Sequence, residues 1–383
     1  MKKFLSLFLC TALFAACEGF FPEKPPIDSD LKGERVDISG LSGFRKLFVL
    51  NEGQMGSNNA SLDMLRLSDA NYITGVFKQM NPSESAGLGD VANDIVTIGD
   101  DIWIAVNNSG IVEVLKAKDE REVAAIQVPM PRCLAYDGKY VYVSSWNGAF
   151  AAYGEDWSVD PEKSKNPKGA VYRIDRKTLS VDGSVEVGYQ PEGLAVSGGK
   201  LYVANSGGIS AMLPPDYAYD RTVSVIDLAS FKPVKSIDVE VNLQKVYSDG
   251  AGNVYVSSYG NFYSEHSGLW LVKADGSVSK VADYASFTAQ NGDTVYCMGN
   301  ANEFDYTAFP SYRAWKCKDG KKESWNINLD GVSPYAFAVL SDDCFVVADA
   351  GDYFNPGSVT LFSGGEKKWT VTAGVCPGHF AIW

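Results

Sequence analysis

Leu201-Tyr202-Val203-Ala204-Asn205-Ser206 and Val254-Tyr255-Val256-Ser257-Ser258-Tyr259-Gly260 are two copies of one pattern: aliphatic, aromatic, aliphatic, then small polar residues. Five more copies stand at Leu47-Phe48-Val49, Ile102-Trp103-Ile104, Val141-Tyr142-Val143, Val295-Tyr296-Cys297 and Cys344-Phe345-Val346. Such short runs suit strands packed on both faces, where β-branched and aromatic side chains fill the space between stacked sheets. Successive copies lie 55, 39, 60, 53, 41 and 49 residues apart. A loose period of about 45 residues is that of propeller blades with loop insertions.

Each copy sits within an ordered set of strands. In the second unit these are residues 94–98, 101–106, 111–115 and 123–128, joined by the turn sequences Gly-Asp-Asp at 99–101 and Asn-Asn-Ser-Gly at 107–110. The fourth unit repeats the order at 193–196, 201–203, 223–226 and 234–239. Four antiparallel strands make a blade. The first unit supplies only three strands, at 46–50, 61–67 and 72–77, while the chain ends in an unaccompanied strand, His379-Phe380-Ala381-Ile382-Trp383. The reading is all-β: a seven-bladed β-propeller of four-stranded antiparallel blades, its ring closed by the C-terminal strand joining the first blade. A linear β-solenoid fits less well, because solenoid repeats are shorter and do not close.

The 383 residues carry 34 Lys and Arg against 47 Asp and Glu, a net charge of −13 that disfavours nucleic acid as a partner. Two histidines, His266 and His379, leave little material for a histidine-based metal site or acid–base relay. Lys2 and Lys3 precede an apolar run from Phe4 to Phe14, long enough for a signal peptide and too short for a membrane span. It ends in Leu13-Phe14-Ala15-Ala16-Cys17, which resembles the lipobox of bacterial lipoproteins, with Cys17 as the lipidated residue; a plain secretory signal is the alternative. Residues 1–16 thus read as signal peptide, 17–44 as a Pro- and Gly-rich tether, and 45–383 as the propeller. Apart from Cys17, the cysteines left after cleavage (Cys133, Cys297, Cys317, Cys344, Cys376) are odd in number and form no CxxC pair, and buried free thiols are expected.

Function is to be read from loops rather than fold. Insertions concentrate in the loops leaving the second strand of five consecutive units, at 144–170, 204–221, 257–267, 298–311 and 347–357, which share one face of a propeller. Their 81 residues hold fourteen aromatics, about 17% against 12% for the whole chain, with eleven acidic residues and four basic ones. Exposed rings gathered on one face suggest a binding surface, and the charge disfavours an anionic ligand; long loops burying their own rings are the alternative. Candidate ligand-binding aromatics are Trp146, Tyr153, Tyr217, Tyr259, Phe262, Phe304, Tyr306 and Tyr353. The polar candidates are Asn205, Ser206, Asn261 and Asn300, and Arg132, Gln190 and Tyr335 can project from the loops entering the first strands. The chain has no GxSxG, GxxxxGK[ST], GxGxxG or HExxH motif, and acidic pairs such as Asp349 with Asp352 or Glu303 with Asp305 read as solvated loop carboxylates before they read as a glycosidase or calcium site. A binding protein without catalytic residues, metal or cofactor is expected.

The strands at 201–206 and 254–260 resemble those of YncE-type seven-bladed propellers, and with the lipobox and the start LFVLNEG at 47–53 the chain from about 45 to 383 is similar to the BtuG-type surface lipoproteins. That resemblance implies an outer-membrane lipoprotein, facing the cell exterior, that captures cobalamin or related corrinoids and passes them to a TonB-dependent BtuB-type barrel, touching the membrane only through its lipid. A bulky, nearly neutral ligand edged with amides suits an aromatic funnel with amide and hydroxyl donors. A glycan-binding surface lipoprotein and a protein-interaction or surface-layer scaffold are the alternatives.

Overall fold

The computed structural model describes residues 27–85, 87–305, 307–329 and 331–383. Among them are seven antiparallel sheets, each four strands deep and numbered here as blades 1 to 7 along the chain, the first carrying a fifth, outer strand. Blade 2 is typical, running Ala92–Ile98, Asp101–Val106, Ile111–Lys116 and Glu122–Gln127 from the axis outward. The ring closes as the repeat count requires: Pro377–Ile382 is the innermost strand of blade 1, antiparallel to Lys46–Asn51, with Leu47 opposite Ile382 and Val49 opposite Phe380. Closure removes the two edges that an open stack would present.

The central aromatics of the seven copies do the work their pattern implies. Phe48, Trp103, Tyr142, Tyr202, Tyr255, Tyr296 and Phe345 are all buried, at most 5% exposed, and belong to the apolar clusters of the blades. Some tyrosines also tie turns: the Tyr142 hydroxyl donates to Asp137 (2.7 Å) and that of Tyr296 to Asp342 in the next blade (2.6 Å). The five described cysteines are free and buried, as expected.

Two expectations are corrected. The stretch 72–77 is a strand only over Asn71–Ile73; Gly75, in the left-handed region at φ 62°, turns the chain into a short helix, Val76–Met80, whose Val76, Phe77 and Met80 are buried. The tether read over 17–44 is docked in its described part. Glu34–Arg35 adds the outer strand to blade 1, Leu31 is buried, and Val36, Ile38, Leu41 and Phe44 pack on the core shared by blades 7 and 1. Asp28 is gripped by Lys46 (3.2 Å) and Arg66 (3.0 Å), and the Trp369 indole donates to the Asp37 carbonyl (2.8 Å). Composition suggested a tether because its apolar residues follow no strand or helix period; they are spaced to meet an existing surface. Lys46 and Arg66 stand at the ends of their strands away from the insertion loops, so this strap lies along the face opposite them.

Candidate functional site

The innermost strands enclose an axial channel of about 690 Å³. Five of these strands begin alike: a residue with positive φ (Val91, Met130, Gln190, Asn242, Cys376) precedes them, and a β-bulge follows within their first residues. A bulge offsets the pleat and re-aims side chains. Here it brings Asp94, Arg132, Glu192, Lys245 and His379 to the same end of the channel, where Glu52, Tyr259 and Tyr335 join them.

Charges in this collar are mostly paired across blades. Arg132 donates to Glu192 (2.9 Å) and to Asn93 (2.5 Å) and lies 4.4 Å from the centroid of the Trp146 ring, whose indole N–H donates to the other Glu192 oxygen (3.1 Å). Burial works against the guanidinium charge, but the neighbouring groups, Glu192 foremost and Glu52 with it, together hold its pKa above the ordinary value. Across the channel, Glu52 accepts from the Tyr335 hydroxyl (2.9 Å) and pairs with His379 Nε2 (3.1 Å). Burial alone would raise the Glu52 carboxyl; the His379 and Tyr335 hydrogen bonds outweigh it and leave the pKa below the ordinary value. Burial pushes the Tyr335 phenol well up, with the Glu52 charge adding to it.

Lys245 differs. Its ammonium donates to the Cys133 sulfur at 3.8 Å, and no carboxylate among the described residues lies within ion-pairing distance. Burial disfavours its charge and the Asp94 carboxylate favours it, and its remaining donors face the cavity. Burial pushes the Cys133 thiol up to about 12, so at neutral pH it is no thiolate nucleophile. The arrangement offers hydrogen bonds and charge to a ligand.

Above the collar lies an aromatic rim. Of the large hydrophobic residues exposed among the described ones, eleven are aromatic: Tyr136 near the opposite end of an inner strand, and Phe150, Tyr153, Trp157, Tyr217, Tyr259, Phe262, Tyr263, Phe309, Tyr353 and Phe354, all on the five insertion loops. Of the expected aromatic candidates, Tyr153, Tyr217, Tyr259, Phe262 and Tyr353 stand in this rim; Tyr335 meets Tyr353 edge-on at 5.7 Å and links rim to collar. Trp146 is half-buried against Arg132. Phe304 stacks on His266 at 4.3 Å. Cys17 and Tyr306 lie outside the described residues.

The polar candidates are placed differently. Gln190, Asn205 and Ser206 are buried, with at most 2% exposed. Gln190 bonds Asn166 and Ser210, Asn205 donates to Thr222 and Ser224, and Ser206 donates to the Gln190 carbonyl. Asn261 Oδ1 accepts three backbone amides of its own turn, from Tyr263, Ser264 and Glu265, and Asn300 Oδ1 accepts those of Asn302 and Ser311. These side chains chiefly tie their own loops together, because long loops satisfy their own backbone groups first, while Asn205 Oδ1 is buried without a hydrogen-bond partner. Asp305 and Asp352 likewise cap turns, and the described residues hold no cluster of three metal-ligating side chains.

No protein-family model matches the chain, and neither does any curated protein. Solved structures do. A quinonprotein alcohol dehydrogenase-like protein from Bacteroides thetaiotaomicron is similar over 88% of this chain and 78% of its own (TM-score 0.56, 14% identity). A functionally unknown protein from Desulfotomaculum acetoxidans matches over 88% and 98% (TM-score 0.57, 10% identity), and the hydrazine synthase of Kuenenia stuttgartiensis over 79% and 89% (TM-score 0.53, 14% identity). At such identities the likeness is of fold alone: the chain is a seven-bladed β-propeller.

Proposed function

We propose that this protein is a capture protein that seats a bulky, nearly neutral ligand on its aromatic rim, over the polar collar, and that the ligand is cobalamin or a related corrinoid. The observation carrying the reading is the segregation of ten of the eleven exposed aromatics among the described residues to the insertion loops of one face. Rings supply contact area at low entropic cost, and the collar below supplies spare donors at Lys245 for carbonyl groups on the ligand edge. The clamped strap supports a lipid anchor at Cys17 on an outer membrane: an anchor upstream of residue 27 enters along the opposite face and leaves the rim free for ligand and for a TonB-dependent barrel of the BtuB type. The protein acts by binding, with no catalytic step.

Calorimetric titration with cyanocobalamin tests this. One-to-one binding, weakened by Tyr259→Ala, is expected; absence of heat and of retention on ultrafiltration refutes corrinoid capture. The outermost rings favour a second reading, a protein-docking face: Trp157, Tyr263 and Phe309 are 83%, 84% and 93% exposed. Co-purification with a partner that is lost on Phe309→Ser and unaffected by corrinoid would select it.

A further inference from the structure

His266 sits on the rim between blades 5 and 6 in a prepared setting. Its Nδ1–H donates to Glu303 Oε2 at 3.0 Å. Glu303, whose side chain is 12% exposed, is itself held by the Ser267 backbone amide (3.0 Å), the Ser267 hydroxyl and the Ser286 hydroxyl (3.1 Å). The imidazole is fixed in plane by Phe304 stacked at 4.3 Å and by the edge of Tyr284 at 5.2 Å. Pinning Nδ1–H to a carboxylate selects the tautomer whose lone pair is on Nε2, and that nitrogen makes no hydrogen bond to any described residue while the side chain remains 39% exposed. A carboxylate orienting one imidazole nitrogen so that the other is free is the arrangement by which proteins prepare a metal-ligating histidine.

A lone histidine cannot hold a bare ion, and no cluster of three ligating side chains exists among the described residues. It does suffice for a metal that arrives with four equatorial nitrogens of its own. Resting on the capture reading above, we infer that His266 is an axial ligand to the metal of a planar tetrapyrrole seated on the aromatic rim, with Glu303 as its positioning residue. On binding, Nε2 donates its lone pair to the metal and one axial water leaves; no oxidation state changes. Cobalt in a corrin and iron in a porphyrin share this chemistry, and His379 does not compete for it, since its Nε2 is engaged by Glu52.

The test uses aquacobinamide, which carries exchangeable axial water, and hemin in a parallel arm, each mixed with the full chain, separated by ultrafiltration and read by visible absorption. Retained cobinamide is expected to show the spectrum of an imidazole-ligated cobalt. His266→Ala should retain it with the aquo spectrum, and millimolar free imidazole should restore the shift. Glu303→Gln should weaken the shift-forming step about tenfold, with thermal melts confirming that both variants fold. Cobinamide retained with no shift, or with a shift that survives in His266→Ala, overturns the inference and leaves capture standing. A His266-dependent hemin spectrum without cobinamide retention supports the ligation and removes the corrinoid reading. Retention of neither probe overturns both.

Discussion

Replacing Tyr335 by Phe removes one hydrogen bond, the 2.9 Å contact to Glu52 that joins blade 7 to the start of the ring, and keeps the ring's volume. A hydrogen bond to a charged group is worth about 1.5–3 kcal/mol. The Glu52 side chain is 20% exposed, which places the cost at the lower end, about 1.5 kcal/mol at neutral pH. Much of this value comes from the carboxylate charge, so in a Glu52→Gln background the same substitution should cost about half as much. The pH dependence has a defined sign. Hydrogen bonds hold the Glu52 pKa below its ordinary value of 4.5 in the folded state, so the stability it contributes is present above that value and is lost as the pH falls through the lowered range. The cost of Tyr335→Phe should therefore shrink on acidification. Urea unfolding of the four proteins of the cycle, at pH 7 and at successively lower pH, reads both effects. Equal cost in both backgrounds and at every pH would show that the Tyr335 hydroxyl acts independently of the Glu52 charge and that the Glu52 assignment is wrong.

Two further outcomes follow from the fold. Glu113, 5% exposed with one oxygen unpartnered, has its pKa pushed up to about 8 by burial, with Glu122 and Glu84 adding to it. Because its folded value lies above the ordinary 4.5, stability should decline as pH rises from there through about 8. Glu113→Gln should flatten that decline, gaining on the order of 2 kcal/mol by pH 8.5 in urea titrations, after discounting the shift for local relaxation. Deleting residues 377–383 removes the innermost strand of blade 1, and size-exclusion chromatography should find aggregate in place of a monomer.

What the sequence disclosed and what it hid have physical reasons. Second strands such as Leu201-Tyr202-Val203 are buried on both faces and so appear as continuous apolar runs around one large ring. Outer strands such as Lys232–Asp238 and Lys321–Ser324 are mostly exposed and polar, and their apolar period is faint. The rim was legible because exposed aromatics are unusual and five insertions share one topological position. The collar was not. It depends on bulges entered through left-handed Val91, Met130, Gln190, Asn242 and Cys376, of which only Asn242 is a residue type that carries a turn signal, although Pro131, Pro191 and Pro377 mark the strand starts that follow three of them. Nothing in the sequence singles out Glu52, Asp94 or Lys245 as facing the channel. Asn205, Ser206 and Gln190 read as ligand donors because a sequence does not show that these side chains are buried and bonded within their own loops and strands. His266 and Glu303 lie on neighbouring insertion loops, and only the ring of blades brings them together.

The most direct measurement compares cyanocobalamin retention by three proteins. One is the parent; the second carries Tyr217→Ser, Tyr259→Ser, Phe309→Ser and Tyr353→Ser on the rim; the third carries Tyr136→Ser, the one exposed aromatic off the rim among the described residues. Stoichiometric retention by the parent and by Tyr136→Ser, with loss in the rim variant while its melting temperature is kept, is the predicted result. A parent that retains no corrinoid, or a rim variant that binds as the parent does, would contradict the account.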